Sequence, residues 1–271
     1  MPEIIINGIK TNYQVFGEGK PFLILHGWGS NSERWQLIAE EISKNGFTPL
    51  ENSGDGVAQK VNGSLTGFKV IVPDLPGFGK SDALLTPWNG NKYTNWVEEF
   101  IKEMNLGEFY LLGHSFGGAL AAKVAIKHVQ EVKKLFLVAA ACIRKKTAPK
   151  NISAKASKLV KIFSFLPYYA LFRKAVYKFI IRKSDYVYVD GVMKETYLNI
   201  ISEDLSFKLP FVKAPTVIIW GDKDESTPPE DAYYIEKQIK NSKLIMIPGA
   251  SHKLNKEYPE IIVENVLNNL S

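Results

Sequence analysis

Residues 110–120 read YLLGHSFGGAL. One small hydroxyl, Ser115, closes an apolar run, with Gly113 two places before it and Gly117 two places after. A strand that turns abruptly into a helix strains the backbone of its corner residue and leaves little room beside it, and glycines on both sides relieve that crowding. The corner side chain then stands above the sheet edge at the amino end of the next helix, where backbone N–H groups are unpaired and the helix dipole is positive. A serine there can attack a carbonyl carbon, and the N–H of Phe116 can stabilise the resulting oxyanion. The spacing alone arises often by chance. The apolar FYLL before it and the helical ALAAKVAIKH after it supply the setting this chemistry requires.

Serine needs a base, and histidine is the usual one near neutral pH. The chain has four histidines. His128 lies on the same predicted helix as Ser115, about 20 Å away at 1.5 Å per residue, and is out of reach. His114 adjoins the serine in the turn, where neighbouring side chains point apart, and His26 ends an apolar run and reads as structural. His252, in the loop PGASHK behind the last apolar run, remains as the base. A carboxylate must fix its tautomer and stabilise its charged form. WGDKDE offers Asp222, Asp224 and Glu225, and spacing does not separate Asp222 from Asp224. The chain order serine, acid, histidine matches one known arrangement of such triads.

The elements that must position these groups are legible as short β-rich runs: IIING, NYQVF, FLILHG, KVIVPD, FYLLGHS, KLFLVAA, TVIIWGD and KLIMIPG. Amphipathic stretches lie between most of them, at Ser32 to Lys44, Thr94 to Met104, Phe116 to His128, Pro229 to Lys240 and Pro259 to Leu270. Such alternation implies βαβ crossovers, hence an α/β protein with a mainly parallel, doubly wound sheet of about eight strands. In these sheets the working loops follow the carboxyl ends of the strands. Here they are HGWG, PDLPGFG, GHSFG, WGDKDE and PGASHK.

Two segments break the rhythm. Residues 48–68 are polar and glycine-rich and read as an insertion between a helix and a strand, on the sheet edge remote from the chemistry. Residues 142–209 interrupt the alternation after the sixth strand and read as a helical cap, leaving 1–141 and 210–271 as the core. The stretch from Cys142 to Ser184 holds twelve cations and no acid, so against a net charge of +6 the remainder of the chain carries −6. Those cations suit an anionic substrate or a weak contact with an anionic lipid surface, and equally a solvated helix face. Nucleic-acid binding is poorly supported, because the positive charge is confined to one segment without a recognised motif. The lone Cys142 excludes an internal disulfide and reads as packing. No stretch has the make-up of a secretory signal or of a membrane span, so the chain reads as soluble and cytoplasmic.

Taken together, the chain resembles the α/β-hydrolase superfamily, in its small capped serine-esterase and lipase-like branch, over nearly all its length outside the insertion. HGWG is similar to the family's oxyanion loop, DLPGFGKSD to its D-x-x-G-x-G-x-S turn, and GASHKLNKEYP to its histidine loop. The resemblance implies that Trp28 gives the second oxyanion N–H beside Phe116, and it selects Asp224, three places after the glycine of WGDKDE, as the acid. It implies hydrolysis of small to medium carboxylic esters through an acyl-enzyme on Ser115, with no metal and no organic cofactor. Relatives that carry aspartate at the elbow, the haloalkane dehalogenases and epoxide hydrolases, are excluded by the serine. A carbon–carbon bond hydrolase, a lactonase, an acyltransferase or a non-catalytic ligand-binding protein would keep the same residues. The cap implies substrate contacts from its aromatic residues, such as Phe163 and Tyr168. Oligomeric state is not legible.

Overall fold

The computed structural model describes residues 2–45, 67–144 and 191–270. Eight strands form one sheet: β1 (Glu3–Ile6), β2 (Ile9–Phe16), β3 (Lys20–Leu25), β4 (Phe68–Pro73), β5 (Phe109–His114), β6 (Val132–Val138), β7 (Thr216–Gly221) and β8 (Ser242–Ile247). Their order is β1-β2-β4-β3-β5-β6-β7-β8. β1 and β2 join antiparallel, and every pairing from β4 to β8 is parallel. Every residue of β7 is buried, as expected of a central parallel strand covered on both faces.

Among the described residues the helices are α1 (Gln36–Asn45), α2 (Gly90–Glu103), α3 (Phe116–Lys127), α4 (Gly191–Ile201), α5 (Pro229–Gln238), α6 (Leu254–Glu257) and α7 (Pro259–Leu267). Two of the helices expected from the periodicity begin elsewhere than it places them. The pattern starting at Ser32 divides into a 3-10 turn over Ser32–Trp35 and then α1, because the Asn31 side chain caps the turn by accepting from the Arg34 N–H. α2 begins four residues before the apolar pattern does, because Asn89 accepts from the Lys92 N–H at 2.9 Å and starts the helix there.

Aromatic rings tie the layers together. Phe22 on β3 stacks on Tyr110 of β5 at 6.0 Å and on Phe136 of β6 at 5.9 Å, so three adjacent strands share one fully buried ring. Each such buried side chain contributes roughly 1.5–3 kcal/mol relative to exposure. These rings fix the register of β3, β5 and β6, and the loops of interest leave from the carboxyl ends of those strands. After β6 the chain leaves the sheet, and the two ends of the excursion meet: Leu205 N–H donates to Cys142 O at 2.9 Å, and Arg144 N–H to Asp204 Oδ1 at 3.2 Å. Within the excursion, α4 is described, whereas Phe163, Tyr168 and most of the cationic run lie outside the described residues, as does nearly all of the 48–68 insertion.

Candidate active site

β5 ends at His114, and the chain turns straight into α3. Ser115 sits at the corner with φ 53° and ψ −117°, a conformation that costs a residue with a side chain about 1–3 kcal/mol. Hydrogen bonds hold it there. Its N–H donates to Val138 O at 3.0 Å, and its carbonyl accepts from Gly118, Ala119 and Ala141 N–H groups at 2.9–3.2 Å. The flanking glycines are needed for space: a Cβ at Gly113 would lie 2.3 Å from Gly117 O, and one at Gly117 would lie 2.1 Å from Leu25 O. The turn thus packs against the end of β3, bringing the loop after β3 to the serine. A Cβ at Gly27 would stand 3.2 Å from Ser115 Cβ.

Ser115 Oγ lies 2.9 Å from His252 Nε2, and His252 Nδ1 lies 2.7 Å from Asp224 Oδ2. In this network Nδ1–H donates to the carboxylate, which leaves Nε2 to accept from the serine hydroxyl. Asp224 follows β7, and its side chain is fully buried. Its Oδ1 accepts from the Ser226 and Thr227 N–H groups at 2.8 and 2.9 Å, and its Oδ2 also accepts from Thr227 Oγ1 at 2.7 Å. Burial alone would push this carboxyl up, but the hydrogen bonds from His252 and Thr227 outweigh it and hold the pKa below the usual carboxylate range. Asp222 is exposed and accepts from Gly249 N–H at 2.7 Å, fastening one loop to the next. The ambiguity between the two aspartates is thereby resolved in geometry: Asp224 touches His252 and Asp222 is engaged elsewhere.

Two positioning contacts have no pattern in the sequence that points to them. Thr227 Oγ1 stands 3.1 Å from His252 Nδ1 as well as bonding Asp224, so one hydroxyl sits at the junction of acid and base. His114 turns away from the serine; its Nε2–H donates to the backbone carbonyl of His252 at 3.0 Å, with the two rings 5.2 Å apart. Burial, reinforced by His252, lowers the His114 pKa to about 3, so it stays neutral. The loop is further pinned by Ser251, whose N–H and hydroxyl both donate to Glu257.

On the other side of the serine, His26 is fully committed to backbone. Its Nδ1–H donates to Gly27 O at 2.8 Å, its Nε2 accepts from Leu75 N–H at 3.0 Å, and burial lowers its pKa to about 4. Trp28 follows, half-buried, with its ring against Phe78 at 4.8 Å, Phe116 at 5.9 Å and Tyr197 of α4 at 5.2 Å. As the first residue of α3, Phe116 has an N–H with no partner in its own helix. His128 lies at the far end of α3 beside Glu131. Among the described residues, no group of three or more His, Cys, Asp or Glu side chains gathers as a metal site, and no helix is long and apolar enough to cross a membrane.

Residues 20–160 match the family described as alpha/beta hydrolase fold. The chain is similar to Lipase 1 of Psychrobacter immobilis, at 24% identity over 265 residues, covering 92% of this chain and 76% of the lipase. Among solved structures it resembles a thermophilic esterase from Thermogutta terrifontis, with TM-score 0.70 and 19% identity, covering 99% of this chain and 97% of that one. It also resembles a meta-cleavage product hydrolase, CumD, with TM-score 0.68 and 18% identity, covering 98% and 96%. At these identities the structural likenesses bear on the fold alone.

Proposed function

We propose, from the premise that this chain belongs to the α/β-hydrolase family, that it is a serine hydrolase of small carboxylic esters. The observation that carries the reading is the unbroken chain of contacts from Ser115 Oγ through His252 to the buried Asp224, at 2.9 and 2.7 Å. His252 Nε2 takes the hydroxyl proton as Ser115 Oγ bonds to the ester carbon. The imidazolium that forms is stabilised by Asp224, whose carboxylate stays ionised because hydrogen bonds outweigh its burial. The Phe116 and Trp28 N–H groups receive the negative charge that develops on the carbonyl oxygen; losing one such donor typically costs about 10²- to 10³-fold in rate. The alcohol leaves with the proton from His252. Water then enters, gives a proton to His252 and attacks the acyl-enzyme, releasing the acid and restoring the serine.

Esters are favoured over the other substrates such an apparatus can serve by the likeness to Lipase 1, which extends over most of both chains. We place the protein's work in solution on a small ester, with Trp28, Phe78 and Phe116 as apolar surface beside the serine. The test is release of p-nitrophenol from esters of acetate to octanoate by wild-type protein and by Ser115→Ala. Turnover by the first and none by the second is expected; no turnover by folded wild type, or equal turnover by both, overturns the reading.

A further inference from the structure

One buried charge plays no part in the mechanism above. Lys123 lies on α3 in the otherwise apolar run ALAAKVAI, and its side chain is only 6% exposed. Its Nζ donates to Glu203 Oε1 at 2.6 Å and to Asn91 Oδ1 at 2.7 Å. Leaving water costs the ammonium much of its hydration, and burial pulls its pKa down in spite of Glu203. The neighbouring backbone makes way for the carboxylate: a Cβ at Gly90, the first residue of α2, would lie 1.8 Å from Glu203 Oε2. A lysine, a glutamate, an asparagine and a missing side chain from three separate elements thus converge on one contact.

That contact stands at one end of a helix that reaches the proposed oxyanion loop. Glu203 follows α4 directly, and Lys123 sits seven residues, two turns, along α3 from Phe116, on the same face. Midway along α4, Tyr197 lies against Trp28 with ring centroids 5.2 Å apart. Near its start, Met193 Sδ is so close to Gly77 that a Cβ there would lie 2.9 Å from it. Between these points the loop before α2 clasps the helix, as Trp88 N–H donates to Thr196 Oγ1 at 3.0 Å and Asn199 Nδ2 donates to Trp88 O at 3.1 Å. The helix is therefore a bar resting on Gly77 and Trp28 and bolted at its far end to the helix that begins with Phe116.

We propose that Lys123 and Glu203 are positioning residues that set how α4 presses on Trp28, and that Tyr197 and Met193, carried on α4, determine the size of ester the site accepts. The proposal rests on the serine-esterase reading and names the device that gives that site its selectivity. The contact is ring to ring, so a shift of the bar changes the space beside the Trp28 indole without touching the Trp28 backbone N–H, Ser115, His252 or Asp224. Discrimination among acyl lengths should therefore move while the intrinsic reactivity of the serine does not.

The experiment compares kcat and KM for p-nitrophenyl acetate and octanoate, together with the rate of Ser115 labelling by a small fluorophosphonate. Glu203→Gln and Gly90→Ala, the latter displacing Glu203 without altering any charge, should each change the octanoate-to-acetate ratio of kcat/KM by about 10-fold, mostly through KM, the scale of a modest change in an apolar pocket. Labelling should stay at the wild-type rate, and the charge exchange Lys123→Glu with Glu203→Lys should bring the ratio back toward wild type. Folded variants with a wild-type ratio overturn the proposal. If Glu203→Gln folds poorly because it strands the ammonium, the double variant Lys123→Met/Glu203→Leu carries no buried charge and is read in the same way: a shifted ratio supports the proposal and an unchanged one overturns it. Wild-type protein that does not label at Ser115 overturns the esterase reading itself, whereas normal labelling with an indifferent ratio removes only the role of the pair.

Discussion

At the ends of β3 and β4 lie a buried histidine and a buried aspartate, His26 and Asp74; at the ends of β7 and β8 lie another aspartate and histidine, Asp224 and His252, flanking Ser115 from the opposite side. The residue types match, and their commitments differ. Asp74 accepts from Ser32 N–H at 2.6 Å, Lys80 N–H at 2.8 Å and Asn12 Nδ2 at 2.9 Å, and both nitrogens of His26 are bonded to backbone. Each of those side chains replaces a backbone partner and holds a turn. Asp224 is as deeply placed, but one of its oxygens meets His252, whose second nitrogen is aimed at a hydroxyl rather than at a carbonyl or N–H. What separates scaffold from chemistry is whether a ring nitrogen is left facing a group that can react.

The strongest way to break this comparison is to remove the hydroxyl that His252 faces. Ser115→Ala should lower kcat for p-nitrophenyl esters by about 10⁴- to 10⁶-fold with the fold intact, the range seen when such a nucleophile is deleted. A loss of tenfold or less, within the uncertainty of a merely structural residue, would place the serine with the scaffold. The aspartates come next. Asp224→Asn removes the carboxylate that fixes the His252 tautomer and should lower kcat by about 10⁴-fold. Asp222→Asn retains an oxygen able to accept from Gly249 and should stay within a few-fold of wild type. The reverse ranking would overturn the acid assignment.

How much of this was legible follows from the length scale of each signal. Most of the eight strands could be read because they are short apolar runs closed by glycine, proline or aspartate, as in FLILHG, KVIVPD and TVIIWGD. The elbow could be read because Gly113, Ser115 and Gly117 report on a crowding confined to five residues. Asp222 and Asp224 could not be separated by spacing, since both follow β7 and only the approach of the loop after β8 distinguishes them. His114 binds the carbonyl of His252 across 138 residues of sequence, and no local pattern encodes such a contact. Thr227 meets His252 only when the loops after β7 and β8 come together, 25 residues apart in sequence, so no local pattern marks it. The first turn of α2 is hidden from the apolar pattern because Asn89, which caps it, and Gly90, which begins it, have the composition of a loop. Asn91 and Glu203 gave no hint of Lys123, since the three meet only after α2, α3 and α4 have packed.

The scaffold histidines sharpen the comparison through pH. Burial holds His26 at a pKa of about 4 and His114 at about 3, against 6.5 for a free imidazole. The folded protein therefore keeps both neutral where the unfolded chain takes up a proton on each, so acid favours unfolding. Their contribution to stability is complete above about pH 6.5 and is lost as pH falls toward 4 and 3, at about 1.4 kcal/mol per pH unit for each ring. Asp224 acts in a more acidic window. Its depressed pKa adds stability above the ordinary carboxylate range, and that contribution disappears only as pH falls through the lowered value. Unfolding free energies from urea titrations at pH 7, 6 and 5 should drop with acid, and the imidazole resonances of His26 and His114 should remain those of neutral rings down to pH 5. A protonated His26 at pH 6 would contradict its two backbone bonds.

The smallest effect is expected at the sheet edge farthest from Ser115. α1 ends at Asn45 and β4 begins at Phe68, and the two ends meet at one residue: a Cβ at Gly17 would lie 2.8 Å from Ser43 Cβ and 2.6 Å from Phe68 O. Phe68 pairs with Lys20 at the start of β3, whereas the loops that reach Ser115 leave from the other ends of the strands. Lys20 N–H donates to Gly67 O at 3.0 Å, so the bond that closes this edge needs Gly67 and nothing before it. Replacing residues 48–66 by a short glycine-rich link should therefore leave kcat and KM within a few-fold of wild type, because loop-closure entropy changes slowly with length and no catalytic group lies on this edge. Loss of activity in a shortened chain that keeps its circular dichroism and thermal midpoint would mean that the segment reaches around to the carboxyl ends of the strands, and the division between a working edge and a supporting edge would have to be redrawn.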